Sequence, residues 1–284
     1  MKPFLTLAIL TLGVPVFSQI ELPDLSPEGK IYQEIGYTHF HIRYGRPAVR
    51  GRRVMGELVP FNKLWRTGAG KCTTVQFDQP VKINNQLVAP GIYALLTIPS
   101  VNDWTVMLNS DTSRLYGDPS EYEIKNEAIR FSVEPNRSDR FYESLSLVMD
   151  VVDSNSILFL SWENTQISFS LTTNTYELAE ERINNKLKGN PTDASLLSSA
   201  AYFYEMNNLD LSKALDYVKK AMTLQEDRWL YRLAVDIQVK MKNYQEAIFT
   251  AQKGISFLER TRPIEWETSV RDYKDDIKKI SAMK

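Results

Sequence analysis

The chain has 284 residues, of which 43% are hydrophobic and 24% are charged. This composition is typical of folded proteins and excludes wholesale disorder, and the length favours two domains over one. Its 34 basic and 35 acidic side chains nearly cancel, so the overall charge gives no support to a nucleic-acid partner.

The first 18 residues have the pattern of a secretory signal peptide. Lys2 gives the start its charge, an apolar run follows from Phe4 to Val16, and Ser18 precedes the expected cleavage point. The run is shorter than the about 20 residues that span a bilayer as a helix. We therefore predict an exported protein, periplasmic or secreted, with no integral membrane segment in the mature chain.

Short strands separated by turn signals predict an all-β domain over residues 31–172, after an extended lead-in at residues 19–30. Alternation from Tyr37 onward buries Phe40 and Ile42 and exposes their neighbours. Turns are expected at Asn84-Asn85 and Glu163-Asn164-Thr165. The later strands are expected at Thr73–Phe77, Val81–Ile83, Ile92–Ile98, Trp104–Leu108, Ile129–Val133, Ser144–Val152, Ile157–Trp162 and Gln166–Leu171, with a long loop at Ser110–Asn126. This order favours an antiparallel β-sandwich or an open barrel, and we predict the sandwich.

Residues 176–284 are predicted to form an all-α helical-repeat domain. Apolar residues recur there at intervals of three and four, and Asn190-Pro191-Thr192-Asp193 supplies a break followed by a helix N-cap. Two similar units place Ala214 and Ala247 at matching positions. The separation of these two alanines is close to the length of a tetratricopeptide repeat (TPR), which is about 34 residues. We expect a TPR-like pair, capped by flanking helices at Tyr176–Leu187 and Ile264–Lys279.

A series of motifs in the β region resembles a known family. They are Tyr44-Gly45-Arg46-Pro47, Gly51-Arg52, Gly56-Glu57-Leu58-Val59-Pro60, Trp65-Arg66-Thr67-Gly68-Ala69, Pro90 to Pro99, and Leu160-Ser161-Trp162. Over about Ile31 to Leu171 the chain is similar to the DUF2911 family, whose members are exported bacterial proteins, mostly from Bacteroidetes, of uncharacterised biochemical function. The resemblance implies an exported β domain, some members having a helical C-terminal extension, and it implies no reaction.

This chain departs from the pattern of the family that it resembles at two places. Gly45 stands where the family usually has serine, and Gly70-Lys71-Cys72 stands where it tends to have Asn-Glu-Ala. If the family uses that Asn-Glu pair for binding or catalysis, this chain has lost the residues for that role.

A cationic loop contains Arg46, Arg50, Arg52 and Arg53. The candidate ligand-binding residues lie in this loop and beside it, and they are Tyr44, Arg46, Arg52, Trp65, Arg66 and Thr67. Guanidinium groups bind carboxylate or phosphate through two parallel hydrogen bonds, and a tryptophan in a loop can contact a sugar. The alternative is that these arginines hold irregular loops to backbone carbonyl groups. The sequence therefore leaves two interpretations open, a small anionic or sugar ligand or a structural role for the same side chains.

The only histidines, His39 and His41, are spaced to point to the same face of a strand, as two ligands of one metal would be. A third metal ligand would have to come from elsewhere in the chain, such as Glu57, Asp78 or Asp150, and the spacing favours none of them. Cys72 is the only cysteine, which excludes an intramolecular disulfide and favours a packed thiol.

The predicted function is a non-catalytic, cofactor-free exported binding protein, whose helical repeats dock a protein or peptide partner. No nucleophile elbow or Gly-rich phosphate loop occurs in the sequence. The alternative is a metal-assisted hydrolase that uses zinc at His39 and His41, and a third possibility is a structural component of the envelope.

Overall fold

The computed structural model of the protein describes residues 22–114 and 119–283. The expected signal peptide at residues 1–18 and the start of the lead-in lie outside these residues, as does part of the expected loop after Ser110. The chain divides into two compact units, a β unit that ends at Thr175 and a helical unit that begins at Tyr176. No helix within the described ranges is both long enough and apolar enough to cross a bilayer.

The described β unit consists of two antiparallel sheets. One sheet has the order β1-β2-β3-β6-β7-β8 and the other the order β5-β4-β10-β9. The strands are β1 (Glu28–Ile35), β2 (Thr38–Gly45), β3 (Thr73–Phe77), β4 (Val81–Ile83), β5 (Gln86–Val88), β6 (Gly91–Ile98), β7 (Trp104–Asn109), β8 (Glu127–Val133), β9 (Asn136–Val152) and β10 (Asn155–Thr173). Short 3₁₀ turns at Pro119–Glu121 and Ile124–Asn126 interrupt the segment before β8.

One hydrophobic core takes side chains from both sheets. In β2, Phe40 and Ile42 are buried while His41 and Arg43 are exposed, which confirms the predicted alternation. The same core contains Leu95 from the first sheet and Leu160 from the second. Burial of alternate residues on each strand therefore fixes which face of each sheet is internal.

The turns between short strands follow local chemistry. Asn84 and Asn85 have φ values of 45° and 65° and join β4 to β5, the left-handed geometry that a two-residue hairpin requires. The sequence prediction of a turn there is confirmed, although it omits β5 itself. The lead-in prediction is also too long, because β1 already begins at Glu28 and pairs along its length with β2.

The predicted turn at Glu163-Asn164-Thr165 is wrong, because β10 continues through it. The pairing of β9 with β10 shifts register on both sides of Glu163, whose φ is 52°. The Glu163 carboxylate accepts hydrogen bonds from the backbone N–H groups of Val54 at 3.1 Å and Met55 at 3.4 Å. A β-bulge held by a distant loop therefore replaces the turn.

The helical unit consists of six helices within its described residues. They are α1 (Thr175–Gly189, whose first residue belongs to the β unit), α2 (Ala194–Met206), α3 (Leu211–Leu224), α4 (Arg228–Lys240), α5 (Tyr244–Thr261) and α6 (Trp266–Ser281). Asp193 caps α2 by accepting from Leu196 N at 2.9 Å, as the sequence predicts. Ala214 and Ala247 are fully buried, where small side chains let neighbouring helices approach closely.

Candidate functional site

The long connection between β2 and β3 forms one wall of a cavity of about 370 Å³, which we call the arginine groove. Its lining includes Arg50, Arg52, Trp65, Arg66 and Trp162. Its described lining residues carry three guanidinium groups and no carboxylate. The groove therefore has the electrostatic character of an anion site.

Backbone hydrogen bonds attach this connection to both sheets. Val49 N donates to Glu143 O at 2.7 Å, and Leu145 N donates to Pro47 O at 3.0 Å. Trp65 N donates to Thr97 O at 2.7 Å. The arginines thus project from an irregular segment whose backbone is held in place.

The three candidate arginines also bind backbone carbonyl groups, which is the structural role that the sequence left open. Arg46 Nε donates to Leu145 O at 3.2 Å. Arg52 donates through Nε to Val49 O at 3.0 Å and through Nη2 to Ala48 O at 2.7 Å. Arg66 Nη1 donates to Gly70 O at 2.8 Å. Because a guanidinium has five N–H donors, these bonds leave Arg52 and Arg66 with donors for a ligand.

Trp65 packs against the hydrophobic core on one side and lines the groove on the other. Its indole stacks on Trp162 with ring centroids 5.9 Å apart and meets Trp104 edge-on at 6.2 Å. Its Nε1 donates to Gly68 O at 3.1 Å. One face of the Trp65 indole and its N–H group are therefore occupied, and the partly exposed remainder of the ring is an apolar part of the groove wall.

Thr67 does not fit the predicted ligand role, because its side chain is fully buried with 0% exposure. Its hydroxyl lies 3.1 Å from that of Thr97, and its φ is 57°. A threonine in this left-handed conformation is strained, and the surrounding bonds must hold it there. Its role is to shape the loop.

Tyr44 and Arg46 also lie outside the arginine groove. Tyr44 is buried, and its hydroxyl accepts from Leu147 N at 3.2 Å. The structure thus places Arg52, Trp65 and Arg66 in the lining of one groove, and that lining does not include Tyr44, Arg46 or Thr67. Sequence reasoning missed Arg50 and Trp162 as lining residues, although Arg50 belongs to the cationic loop that it had recognised.

A second cavity, of about 560 Å³, adjoins the arginine groove at residues 68–70, which we call the ridge loop. Both cavities are lined by Ser26, Ala69 and Gly70. Tyr44 and Lys71 line only the second one. The ridge loop is therefore a wall common to two neighbouring cavities.

Cys72 lines this second cavity but is not an activated thiol. Its side chain is buried, with Sγ 3.8 Å from Thr112 O. Burial raises the pKa of the thiol, which disfavours the thiolate that a nucleophile needs. The geometry agrees with a packed thiol.

His39 and His41 project from β2 toward the ring of Tyr32, which lies 6.3 Å and 4.6 Å from theirs. His39 Nδ1 is 2.7 Å from Asp78 Oδ2. Burial opposes ionisation of Asp78, but hydrogen bonds from the backbone and ring of His39 hold its pKa below the ordinary value. Of the three acids considered as a third ligand, Asp78 is the one that contacts His39, and no contact of these acids with His41 is seen among the described residues.

No group of three or more His, Cys, Asp and Glu side chains that could hold a metal ion occurs in the described ranges. Glu57 is paired with Arg53 at 3.7 Å, and Asp150 lies on β9 of the other sheet. The two histidines therefore remain an incomplete ligand set in this arrangement.

Comparison with known proteins gives a family match over the β unit. A family model described as "Protein of unknown function (DUF2911)" matches residues 26–171, which is more than half of the chain. The matched range includes the ridge loop and the arginines of the groove. No curated protein matches the chain.

Proposed function

The chain belongs to the DUF2911 family, and from that premise we propose that it is an exported, non-catalytic binding protein whose β unit takes an anionic ligand. The arginine groove carries this proposal, because three guanidinium groups line it without a carboxylate among the described residues. In a concave site with apolar walls, the attraction between a guanidinium and a carboxylate or phosphate is less screened than on an open surface. The groove needs no cofactor for this role.

The same proposal assigns an architecture to each unit. The two sheets of the β unit form a sandwich, which is supported by the single core that both contribute to. The six helices form a TPR-like array that docks a protein or peptide partner. Exposed rings of Tyr202 and Trp229, 5.7 Å apart and 45% and 42% exposed, support a docking role. Periplasmic or secreted location rests on the charged and apolar start of the sequence.

The test is calorimetric titration of the full mature chain with monomeric galacturonate, inorganic phosphate and neutral galactose. We expect at least one of the two anions to bind and galactose to bind at least tenfold more weakly. Arg66→Ala should weaken anion binding by about tenfold or more, because it removes charge-assisted hydrogen bonds. Arg66→Lys should recover only part of this loss, since lysine lacks the planar fork.

Lys82→Ala is the matched control, because Lys82 is an exposed cation on β4 that lines neither the arginine groove nor the second cavity. It should bind like the wild type. The proposal is refuted if neither anion binds, or if Arg66→Ala and Arg52→Ala both bind as the wild type does. Preference for galactose would instead support a neutral sugar ligand.

A metal-assisted hydrolase is the second candidate, and the contact between His39 and Asp78 favours it. A carboxylate bonded to one ring nitrogen is a common way to orient an imidazole toward zinc. Elemental analysis of chain purified without chelator tests this candidate. One zinc per chain, lost in His41→Ala, would support it, and a metal-free chain that binds no added zinc would refute it.

A further inference from the structure

We infer that the ligand of the β unit is a chain of acidic sugars that lies across both cavities, rather than a single small anion. This inference rests on the proposed function of the arginine groove and extends it to the second cavity. Cavities of about 370 Å³ and 560 Å³ share Ser26, Ala69 and Gly70. Each is within the usual range for one small-molecule site, so a ligand that fills both must be extended.

The charges along the two cavities support an extended anion. Arg50, Arg52 and Arg66 line one cavity and Lys71 lines the other. Among the described residues, none of these four side chains forms an ion pair, whereas other cations of the second cavity do. Four cations without ion pairs along the lining of two adjoining cavities repel each other, and an anion with several spaced charges relieves that repulsion.

The remaining cations of the second cavity are already neutralised. Arg43 Nη2 lies 2.8 Å from Glu28 Oε1, and Arg114 is paired with Asp111 at 2.7 Å and Glu123 at 3.0 Å. These side chains therefore add little attraction for a ligand. Asp24 also lines this cavity, and its carboxylate, which accepts a hydrogen bond from Ser26 N at 2.8 Å, opposes a negative group beside it. Lys71 is the described cation of this cavity without an ion pair, so the second negative group of the ligand is expected beside Lys71.

The walls of the groove favour sugars over nucleotides. Leu25, Pro47 and Leu58 line it beside Trp65, and such surfaces suit the apolar C–H faces of sugar rings. Single-stranded nucleic acids are bound on several aromatic faces, on which successive bases stack. Trp162 covers one face of Trp65 and is itself only 1% exposed, so the aromatic lining of the groove offers at most one ring face.

The experiment compares monomeric galacturonate with trigalacturonate on the full mature chain by calorimetry. We expect the trimer to bind at least tenfold more tightly, because the second contact becomes intramolecular once the first is made. Raising the salt concentration should weaken trimer binding more than monomer binding, since more charge pairs are screened.

Lys71→Ala separates this inference from the proposed function. It should reduce trimer affinity to near that of the monomer and leave monomer affinity unchanged, whereas Arg66→Ala should weaken both ligands. Lys82→Ala should weaken neither.

Three outcomes would overturn the inference. Equal affinities of monomer and trimer, or an unchanged trimer affinity in Lys71→Ala, would leave the arginine groove as a single small-anion site. No binding of either ligand or of phosphate would remove the proposed function as well. Tighter binding of a single-stranded oligothymidylate than of trigalacturonate would point to a nucleic acid.

Discussion

Replacing Gly45 with alanine tests whether the ridge loop is fixed against β2. A Cβ at this position would lie 2.0 Å from the carbonyl oxygen of Ala69, 2.9 Å from its carbonyl carbon and 3.2 Å from its nitrogen. These are backbone atoms, which cannot move aside as the end of a flexible side chain can. The whole ridge loop must therefore shift, and we expect the β unit to lose about 3 kcal/mol of stability.

The assay is equilibrium unfolding in urea, followed by tryptophan fluorescence and circular dichroism. For a unit of this size an m value of about 2 kcal/mol/M is expected, so the midpoint of the β unit should fall by about 1.5 M. Trigalacturonate binding should weaken in the same variant, because the ridge loop borders both cavities.

Gly51→Ala is the control for backbone strain alone. Gly51 has a φ of 68° and no atom within 4 Å of the added Cβ, so about 1 kcal/mol is expected from conformation without a clash. If Gly45→Ala lowers the free energy of unfolding no more than Gly51→Ala does, the ridge loop does not lie as close to Gly45 as the structure places it.

Three further predictions concern other parts of the molecule. Cys72 should react with a disulfide reagent at least tenfold more slowly in the native protein than in urea, because the thiol is buried and its pKa is raised; equal rates would contradict its burial. Hydrogen bonds from the Ser113 hydroxyl and from Arg114 lower the pKa of Asp111 to about 2, so its contribution to stability is complete above the ordinary value of 3.8 and is lost as the pH falls toward 2. Asp111→Asn should therefore flatten the dependence of the urea midpoint on pH between those values, and an unchanged slope would show that the carboxylate does not contribute. Ala247→Leu should destabilise the helical unit by about 1–3 kcal/mol, because the added carbons enter a fully buried position; its urea transition should shift while that of the β unit does not.

The two places where the chain departs from the pattern of the family that it resembles are neighbours in space. Gly45 on β2 contacts Ala69 of the ridge loop, and Gly70 and Lys71 follow directly. A side chain at position 45 would displace the loop that carries the second change. The sequence shows both departures, but only the structure shows that they belong to one feature.

Local patterns in the sequence determined much of the fold. Alternation along β2, the left-handed pair Asn84-Asn85 and the N-cap Asp193 depend on residues close in sequence, and the structure contains all three. The order of short strands followed by helices was predicted for the same reason, because strand and helix periods are visible within each segment.

Features that depend on contacts between residues distant in sequence were decided only by the tertiary structure. Glu163 has the local appearance of a turn, yet its carboxylate is held by the backbone of Val54 and Met55, so the strand continues. Thr67 belongs to a motif that the sequence predicts to bind a ligand, yet its side chain packs against Thr97 and is buried. The packing of an irregular connection on two sheets groups Arg52 and Arg66 into one groove and places Lys71 in the neighbouring cavity. Spacing along the chain does not encode this packing.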